Sequence, residues 1–202
     1  MVGVVDYEAG NLKSVETALL ALDARIVISG EPETLLQCDR LLFPGVGDGA
    51  AAMAVLRRRG LDQAISEFVA RGRPVLGICL GSQIVLDRSE ENGAVCLSLV
   101  AGSARRFAAG LGQKIPHMGW NQVEPVRDHY LFSGIPTGAS FYFVHSYYPD
   151  PEDESCRLAV TDYGIHFTSA ISRENLAAVQ FHPEKSGPYG LRMLRNFLQH
   201  RG

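Results

Sequence analysis

Residues 77–81, Gly-Ile-Cys-Leu-Gly, constrain the fold of this chain more than any other segment. They follow the run Arg73-Pro74-Val75-Leu76 and place a nucleophile between glycines two positions to each side. A strand that ends this way turns at once into a helix, because a Cβ at either glycine would crowd the turn. The pattern predicts a strand, an elbow at Cys79 and a helix from about Leu80. A thiol at that point sits at a helix N-terminus, whose dipole favours the thiolate, the reactive form. A buried structural cysteine in an α/β core fits the same five residues, since free cysteines are commonly buried.

A thiol nucleophile needs a base. Leu176-Ala177-Ala178-Val179-Gln180-Phe181 reads as a strand and leads straight into His182-Pro183-Glu184. A histidine directly after a strand projects from the sheet end, and Pro183 keeps a helix from starting at His182. Glu184 is placed to accept one imidazole N–H, fixing tautomer and orientation. Cys79, His182 and Glu184 thus form a candidate catalytic triad. Singly, His182 suits a solvated turn and Glu184 a surface; their joint occurrence after a strand, with the elbow upstream, selects the triad.

Acyl chemistry also requires donors for a developing oxyanion. The predicted strand Arg40-Leu41-Leu42-Phe43 runs into Pro44-Gly45-Val46-Gly47-Asp48-Gly49, whose glycines let backbone N–H groups face a pocket. The amides of Val46 and Gly47, with that of Leu80 after the nucleophile, are the candidate oxyanion donors. An ordinary strand-to-helix turn explains the same glycines. A phosphate-binding loop does not, because G-x-x-x-x-G-K-[ST] is absent and no G-x-G-x-x-G opens a helix in a βαβ setting.

The first half of the chain alternates strand and helix. Val2–Val5, Arg25–Ile28, Arg40–Phe43 and Arg73–Leu76 are the strands. Between them, Asn11 can cap a helix carrying Leu12, Val15, Leu19 and Leu22, and a short helical piece lies near Glu33–Gln37. Asp48 opens a helix that closes at Arg57-Arg58-Arg59, with charges that complement its dipole, and Leu61–Ala70 is a further amphipathic stretch. The Arg run reads as a solvated helix end rather than a phosphate or partner patch. Strands predominate later, over Trp120–Val126, Phe141–Tyr148, Arg157–Thr161, Ile165–Ile171 and Leu176–Phe181, before a last helix from about Pro188 to His200. Asp150-Pro151-Glu152-Asp153-Glu154 reads as a surface loop. The expected class is α/β, a mixed, mainly parallel central sheet flanked by helices, with antiparallel strands in the C-terminal half and a single domain over 1–202.

Composition narrows the function. At 202 residues and 46% apolar content the chain can bury a sizeable core. A net charge of −3 gives no footprint for nucleic acid, and no apolar run is long enough to predict a membrane span. The segment Met1-Val2-Gly3-Val4-Val5-Asp6 reads as a first strand, not a signal peptide. Cys38, Cys79, Cys96 and Cys156 show neither a C-x-x-C pair nor zinc spacing, so no metal or other cofactor is expected. Cys38, Cys96 and Cys156 read as reduced thiols, which suits a cytoplasmic location.

Three segments, G-I-C-L-G-S-Q at 77–83, P-G-V-G at 44–47 and Q-F-H-P-E-K-S at 180–186, resemble the signatures of the class I glutamine amidotransferases. V-D-Y-E-A-G-N-L-K-S-V at 5–15, K-I-P-H-M-G-W-N at 114–121 and Y-F-V-H-S-Y at 142–147 narrow the likeness to glutaminase subunits of imidazole glycerol phosphate synthases. The likeness implies a flavodoxin-like amidotransferase fold. It implies glutamine hydrolysis through a glutamyl thioester on Cys79, with ammonia passed to a (β/α)8 cyclase subunit that acts in histidine biosynthesis. Gly45, Gly47 and Gln83 match positions that hold glutamine, and His145, Ser146 and Tyr147 the part that binds its α-amino and carboxylate groups. Asn11, Trp120 and Lys185 match positions that face the cyclase, although a lone Trp also suits a core. The same likeness gives an isolated subunit with little activity, its oxyanion peptides not yet oriented.

Two positions depart from the family pattern. Glu8 stands where glycine is usual, and Ser82 where methionine is common. Neither is expected to touch the triad. Other readings remain at this level: a glutaminase for another acceptor such as pyridoxal phosphate synthesis, a Cys peptidase or γ-glutamyl hydrolase, or a binding module with a dead site. The P-H-M-G-W-N segment argues against the first, and the intact Cys79, His182 and Glu184 against the last.

Overall fold

The structure, a computed structural model, describes residues 1–8 and 12–200. The chain first alternates β1 (Val2–Val5), α1 (Leu12–Leu20), β2 (Ile26–Ser29), α2 (Pro32–Leu36), β3 (Arg40–Gly45), α3 (Gly49–Arg58), α4 (Leu61–Ala70), β4 (Val75–Cys79) and α5 (Leu80–Ile84). There follow β5 (Arg88–Ser89), β6 (Gly102–Arg106), β7 (His117–Pro125), β8 (Ala139–His145), β9 (Tyr147–Pro151), β10 (Arg157–Asp162), β11 (His166–Arg173), β12 (Leu176–Val179) and the closing helix α6 (Gly187–Gln199).

Strands β1, β4 and β12 are buried along their whole length, which is why they read as unbroken apolar runs. They lie inside a nine-stranded sheet of order β2-β1-β3-β4-β12-β11-β10-β7-β8. Pairing is parallel from β2 to β12 and antiparallel from β12 to β8. Helices cover both faces. Leu42, Leu76 and Ile78 point into one core with Phe141, Phe181, Met193 and Phe197, whereas Leu41, Phe43 and Val75 point into the other with Ile65, Phe68 and Ile84. This is the two-residue alternation of a strand applied to a sheet covered twice.

Register positions the site. Gly45 pairs with Cys79 and Val179 with Ile78, so β3, β4 and β12 end side by side. Their carboxyl ends meet beside the change from parallel to antiparallel pairing, where open α/β sheets leave a crevice. Asp48 caps α3 by accepting the Ala51 N–H at 2.8 Å, and Arg57 and Arg58 occupy its last turn.

Several expectations are corrected. The single strand expected over Phe141–Tyr148 breaks at Ser146, whose carbonyl accepts the Phe107 N–H at 3.1 Å. Beyond the break, β9 leaves the large sheet and joins β5 and β6 in a three-stranded sheet. Neither β5 nor β6 was legible, because Arg88–Ser89 is two residues long and Gly-Ser-Ala-Arg-Arg carries almost no apolar pattern. Asp150 and Pro151, expected in a surface loop, complete β9. Arg59, expected to be solvated, pairs with Glu8 at 3.6 Å and Glu31 at 3.5 Å and thereby ties the end of α3 to the loops after β1 and β2. All four cysteines are free and buried. Asn11, with its expected roles as cap and interface residue, lies outside the described residues.

Candidate active site

At the end of β4 the backbone of Cys79 takes φ 54°, a strained value for a residue with a Cβ. Both flanking glycines are required there. A Cβ on Gly77 would lie 2.9 Å from that of Ala178, and one on Gly81 would run into the carbonyl oxygen of Phe43. The elbow sets the Cys79 sulfur at the foot of a cavity of about 340 Å³, which Val46, Gly47, Leu80, Gln83, Glu91, Pro116, Val144, His145, Ser146 and Tyr147 also line. The three expected oxyanion residues thus border one cavity with the sulfur. Gly47 has φ 96°, where a side chain would be strained. Glu91 holds the start of α3 beside it by accepting the Gly49 N–H at 2.8 Å. Gly45 is not among the residues that line this cavity, and a Cβ there would run into the buried Tyr7 hydroxyl.

His182 enters from the end of β12. Its backbone N–H donates to Tyr142 O at 2.9 Å, and Pro183–Lys185 form a single 3-10 turn that swings Glu184 back beneath the ring. Nδ1–H donates to Glu184 Oε1 at 2.7 Å, with the side chains only 3% and 4% exposed. Nε2 is therefore the nitrogen left over. It makes no hydrogen bond of good geometry among the described residues, yet Cys79 is near enough to act on the ring. Burial alone would lower the His182 pKa; hydrogen bonding to Cys79 and Glu184, and the charges on both, outweigh it and raise the value from 6.5 to about 9. The imidazole is accordingly held as imidazolium at neutral pH.

On the opposite wall the polar atoms bond mostly to one another. Gln83 Nε2 donates to Tyr147 O at 3.0 Å and to Gln180 Oε1 at 2.9 Å, which uses both amide hydrogens and leaves Oε1 for a ligand. Tyr147 O also accepts His145 Nδ1–H at 2.8 Å. His145 Nε2 accepts from His117 Nδ1 at 2.9 Å, and His117 Nε2 accepts from Asn121 Nδ2 at 3.3 Å. Burial pushes His117 down to about 4 and His145 to about 3, so both rings are neutral and the bonding fixes their tautomers. Both ring nitrogens of His145 are engaged within the protein, so the ring braces the Ser146–Tyr147 segment and offers no atom to a ligand.

Four residues of this neighbourhood were missed. Gln180 is fully buried and points Nε2 at Cys79 Sγ, 3.7 Å away; the signal was a lone amide in the apolar run that continues β12 to Phe181. Ser82 corrects an expectation, since its hydroxyl donates to Cys79 O at 2.7 Å and lies 3.3 Å from Gln180 Oε1. That departure does touch the elbow. His117 and Tyr7 gave no signal beyond their motifs. Glu8 takes φ 65°, which explains the glycine usual at that position. Trp120 and Met118 share one face of β7 and are 59% and 62% exposed, Trp120 resting edge-on against Tyr142 at 6.2 Å. Lys185 borders a small cavity of about 20 Å³ behind His182 and Glu184, together with Gly45 and Val46. No group of three metal-ligating side chains occurs among the described residues.

Residues 3–200 match the family model described as glutamine amidotransferase class-I. An imidazole glycerol phosphate synthase subunit HisH from Dehalococcoides mccartyi (strain CBDB1) is 47% identical over 200 residues, covering 98% of this chain and 97% of that one. The protein of the same description from Nitrosococcus oceani is 48% identical over 205 residues, covering 100% and 98%. Among solved structures, PurLQS from Thermotoga maritima superposes with a TM-score of 0.77 at 18% identity, over 98% of this chain and 96% of that one. A structure described as a glutamine amidotransferase gives 0.74 at 21%, over 98% and 97%. These two likenesses speak to the fold alone.

Proposed function

The chain belongs to the class I glutamine amidotransferase family, and from that membership we propose that Cys79, His182 and Glu184 carry out its glutamine hydrolysis. Its activity is that of the glutaminase subunit of imidazole glycerol phosphate synthase, in histidine biosynthesis. Residues 1–202 act as one domain in this reading.

The Cys79 thiolate attacks the side-chain amide carbon of glutamine, and the carbonyl oxygen takes up negative charge. Val46, Gly47 and Leu80, which border the cavity, supply the N–H donors for it. His182 holds its transferable proton on Nε2, because Nδ1–H is committed to Glu184. Nε2 gives that proton to the departing nitrogen; ammonia leaves and a glutamyl thioester remains. The neutral Nε2 then takes a proton from water, the hydroxyl adds to the thioester carbon, and the C–S bond breaks to release glutamate and the thiolate. An imidazole poised at about 9 is an acid for the first half and becomes a base only after that transfer. Gln83 Oε1, without a hydrogen-bond partner among the described residues, suits the α-ammonium of glutamine, and Ser146 and Tyr147 lie on the same wall.

The partner in this reading is a cyclase subunit. It docks over the exposed Met118–Trp120 face and Lys185, with Asn11 nearby in sequence to α1, and receives ammonia before the ammonia is protonated in bulk water. A cytoplasmic location accords with this; no described helix is long and apolar enough to cross a membrane.

The observation that carries the proposal is the Nδ1–Glu184 bond, which leaves Nε2 as the ring nitrogen available to the sulfur and the departing ammonia. Glutamate release from glutamine, measured with and without the cyclase subunit and its ribulosyl ligand, tests it. Stimulated release that vanishes in Cys79→Ala is expected. Release that survives Cys79→Ala would remove the sulfur from the mechanism.

A further inference from the structure

We propose that Gln180 acts on the reacting sulfur itself, as a fixed N–H donor to the Cys79 thiolate. Two residues before His182, Gln180 lies just past β12 and is wholly buried, its own N–H bonded to Ser169 O at 2.9 Å. Its Nε2 stands 3.7 Å from Cys79 Sγ, within reach of an N–H···S hydrogen bond.

The direction of that contact follows from the surrounding bonds. Tyr147 O is a carbonyl and can only accept, so the Gln83 atom 3.0 Å away must be its amide nitrogen. The second hydrogen of that nitrogen goes to Gln180, 2.9 Å away, which must therefore present Oε1. The Ser82 hydroxyl lies beside the same oxygen at 3.3 Å. With Oε1 committed on that side, Gln180 has only its NH₂ to turn toward the sulfur. Flipping the Gln180 amide would set two NH₂ groups against each other and a carbonyl oxygen against a thiolate. Tyr147 O is itself held by His145, and His145 by His117, so the chain of bonds runs back into the aromatic core.

The thiol and the thiolate use different partners. As a thiol, Cys79 can donate to Val144 O, at 3.9 Å, or to the neighbouring His182 ring, and draws nothing from Gln180. As a thiolate it accepts from Gln180, a donor that bulk water cannot displace. The sulfur carries that charge twice in the reaction: before it attacks the amide carbon, and again when the C–S bond of the thioester breaks. A donor fixed at the sulfur favours both moments and does nothing for glutamine binding.

This inference rests on the glutaminase reading for its effect on turnover, but the contact with the sulfur can be tested without glutamine. Gln180→Glu keeps an oxygen for Gln83 and Ser82 and puts an oxygen in place of the donor; Gln180→Met removes the donor outright. Carboxamidomethylation of Cys79 by iodoacetamide, followed by peptide mass across pH 5.5 to 9, reads the thiolate directly. Both variants are expected to react about tenfold more slowly at pH 7, about 1.4 kcal/mol, with the profile displaced to higher pH. In the cyclase complex, kcat for glutamine is expected to fall about tenfold, with KM within twofold of the native value. In the native protein the Gln180 side-chain amide resonances are expected to shift on Cys79→Ala, a measurement that needs no substitution at 180. Alkylation profiles unchanged in folded variants, or Gln180 resonances indifferent to Cys79→Ala, would reduce Gln180 to a satisfied core amide and overturn the proposal. Slowed alkylation in a protein that hydrolyses no glutamine would keep the sulfur contact and reject the glutaminase reading instead.

Discussion

Glu184→Gln separates charge from orientation in the His182 pair. The amide keeps an oxygen for the Nδ1–H, which is 2.7 Å from the carboxylate in the native chain, so the tautomer is retained while the charge is lost. The same protein shows what burial does to an imidazole without a carboxylate: His117 and His145 are pushed down to about 4 and about 3. Burial pulls His182 the same way, but Cys79 and Glu184 hold it at about 9, against an ordinary 6.5. That rise corresponds to about 3 kcal/mol, at roughly 1.4 kcal/mol per pH unit. Loss of one of the two charged partners is expected to lower the value by about 2 pH units and kcat at pH 7 by about a hundredfold. The sign for stability follows from the raised value. Its contribution is complete below pH 6.5 and is lost as pH climbs through about 9. Urea unfolding should therefore show Glu184→Gln weakest relative to the native protein near pH 6, with the gap closing above pH 9. Titration of the ¹³C-labelled His182 ring by NMR gives the value itself. A His182 that still titrates above pH 8 in folded Glu184→Gln would refute the reasoning, leaving Cys79 alone as the source of the rise.

Glu8→Gly is expected to stabilise the chain by about 1 kcal/mol in thermal or urea unfolding. Relief of the left-handed backbone at φ 65°, worth about 1–2 kcal/mol, outweighs the loss of exposed ion pairs to Arg59 and Arg58 at 3.6 and 4.0 Å. His117→Leu leaves His145 Nε2 without its 2.9 Å partner in the core. A destabilisation of about 1–3 kcal/mol is expected, with a rise in KM for glutamine as the Ser146–Tyr147 segment loosens, and steady-state kinetics check the second part.

The parts of the fold that were legible are those where one local requirement admits few answers. Gly77 and Gly81 are forced by the Ala178 side chain and the Phe43 carbonyl, contacts that any strand-to-helix elbow in a packed sheet reproduces, so five residues announced the turn. The buried parallel strands were equally plain, because a strand covered on both faces has no polar positions to alternate with. Strands β5 and β6 failed for the opposite reason. They are short and polar, and only pairing with β9 makes them strands at all. The break at Ser146 was hidden in the same way, since its cause is a hydrogen bond from Phe107, far off in sequence.

The site divides along the same line. Cys79, His182 and Glu184 announce themselves by what surrounds each in sequence, and the turn of Pro183–Lys185 makes the His182–Glu184 bond nearly a local property. The polar wall beside them is not local. Gln83 and Gln180 meet only because β4 lies parallel to β12, with Ile78 opposite Val179, and α5 then folds back over that junction. A shift of one residue in that register would turn Gln180 to the other face of the sheet and leave the sulfur, Gln83 and Ser82 without their partner. Ser82 looked remote from the triad for the same reason: its contact with Cys79 O needs the helical turn, and its contact with Gln180 needs the register. The chemistry of the nucleophile therefore depends on a strand pairing that appears in sequence only as one glutamine where an apolar residue belonged.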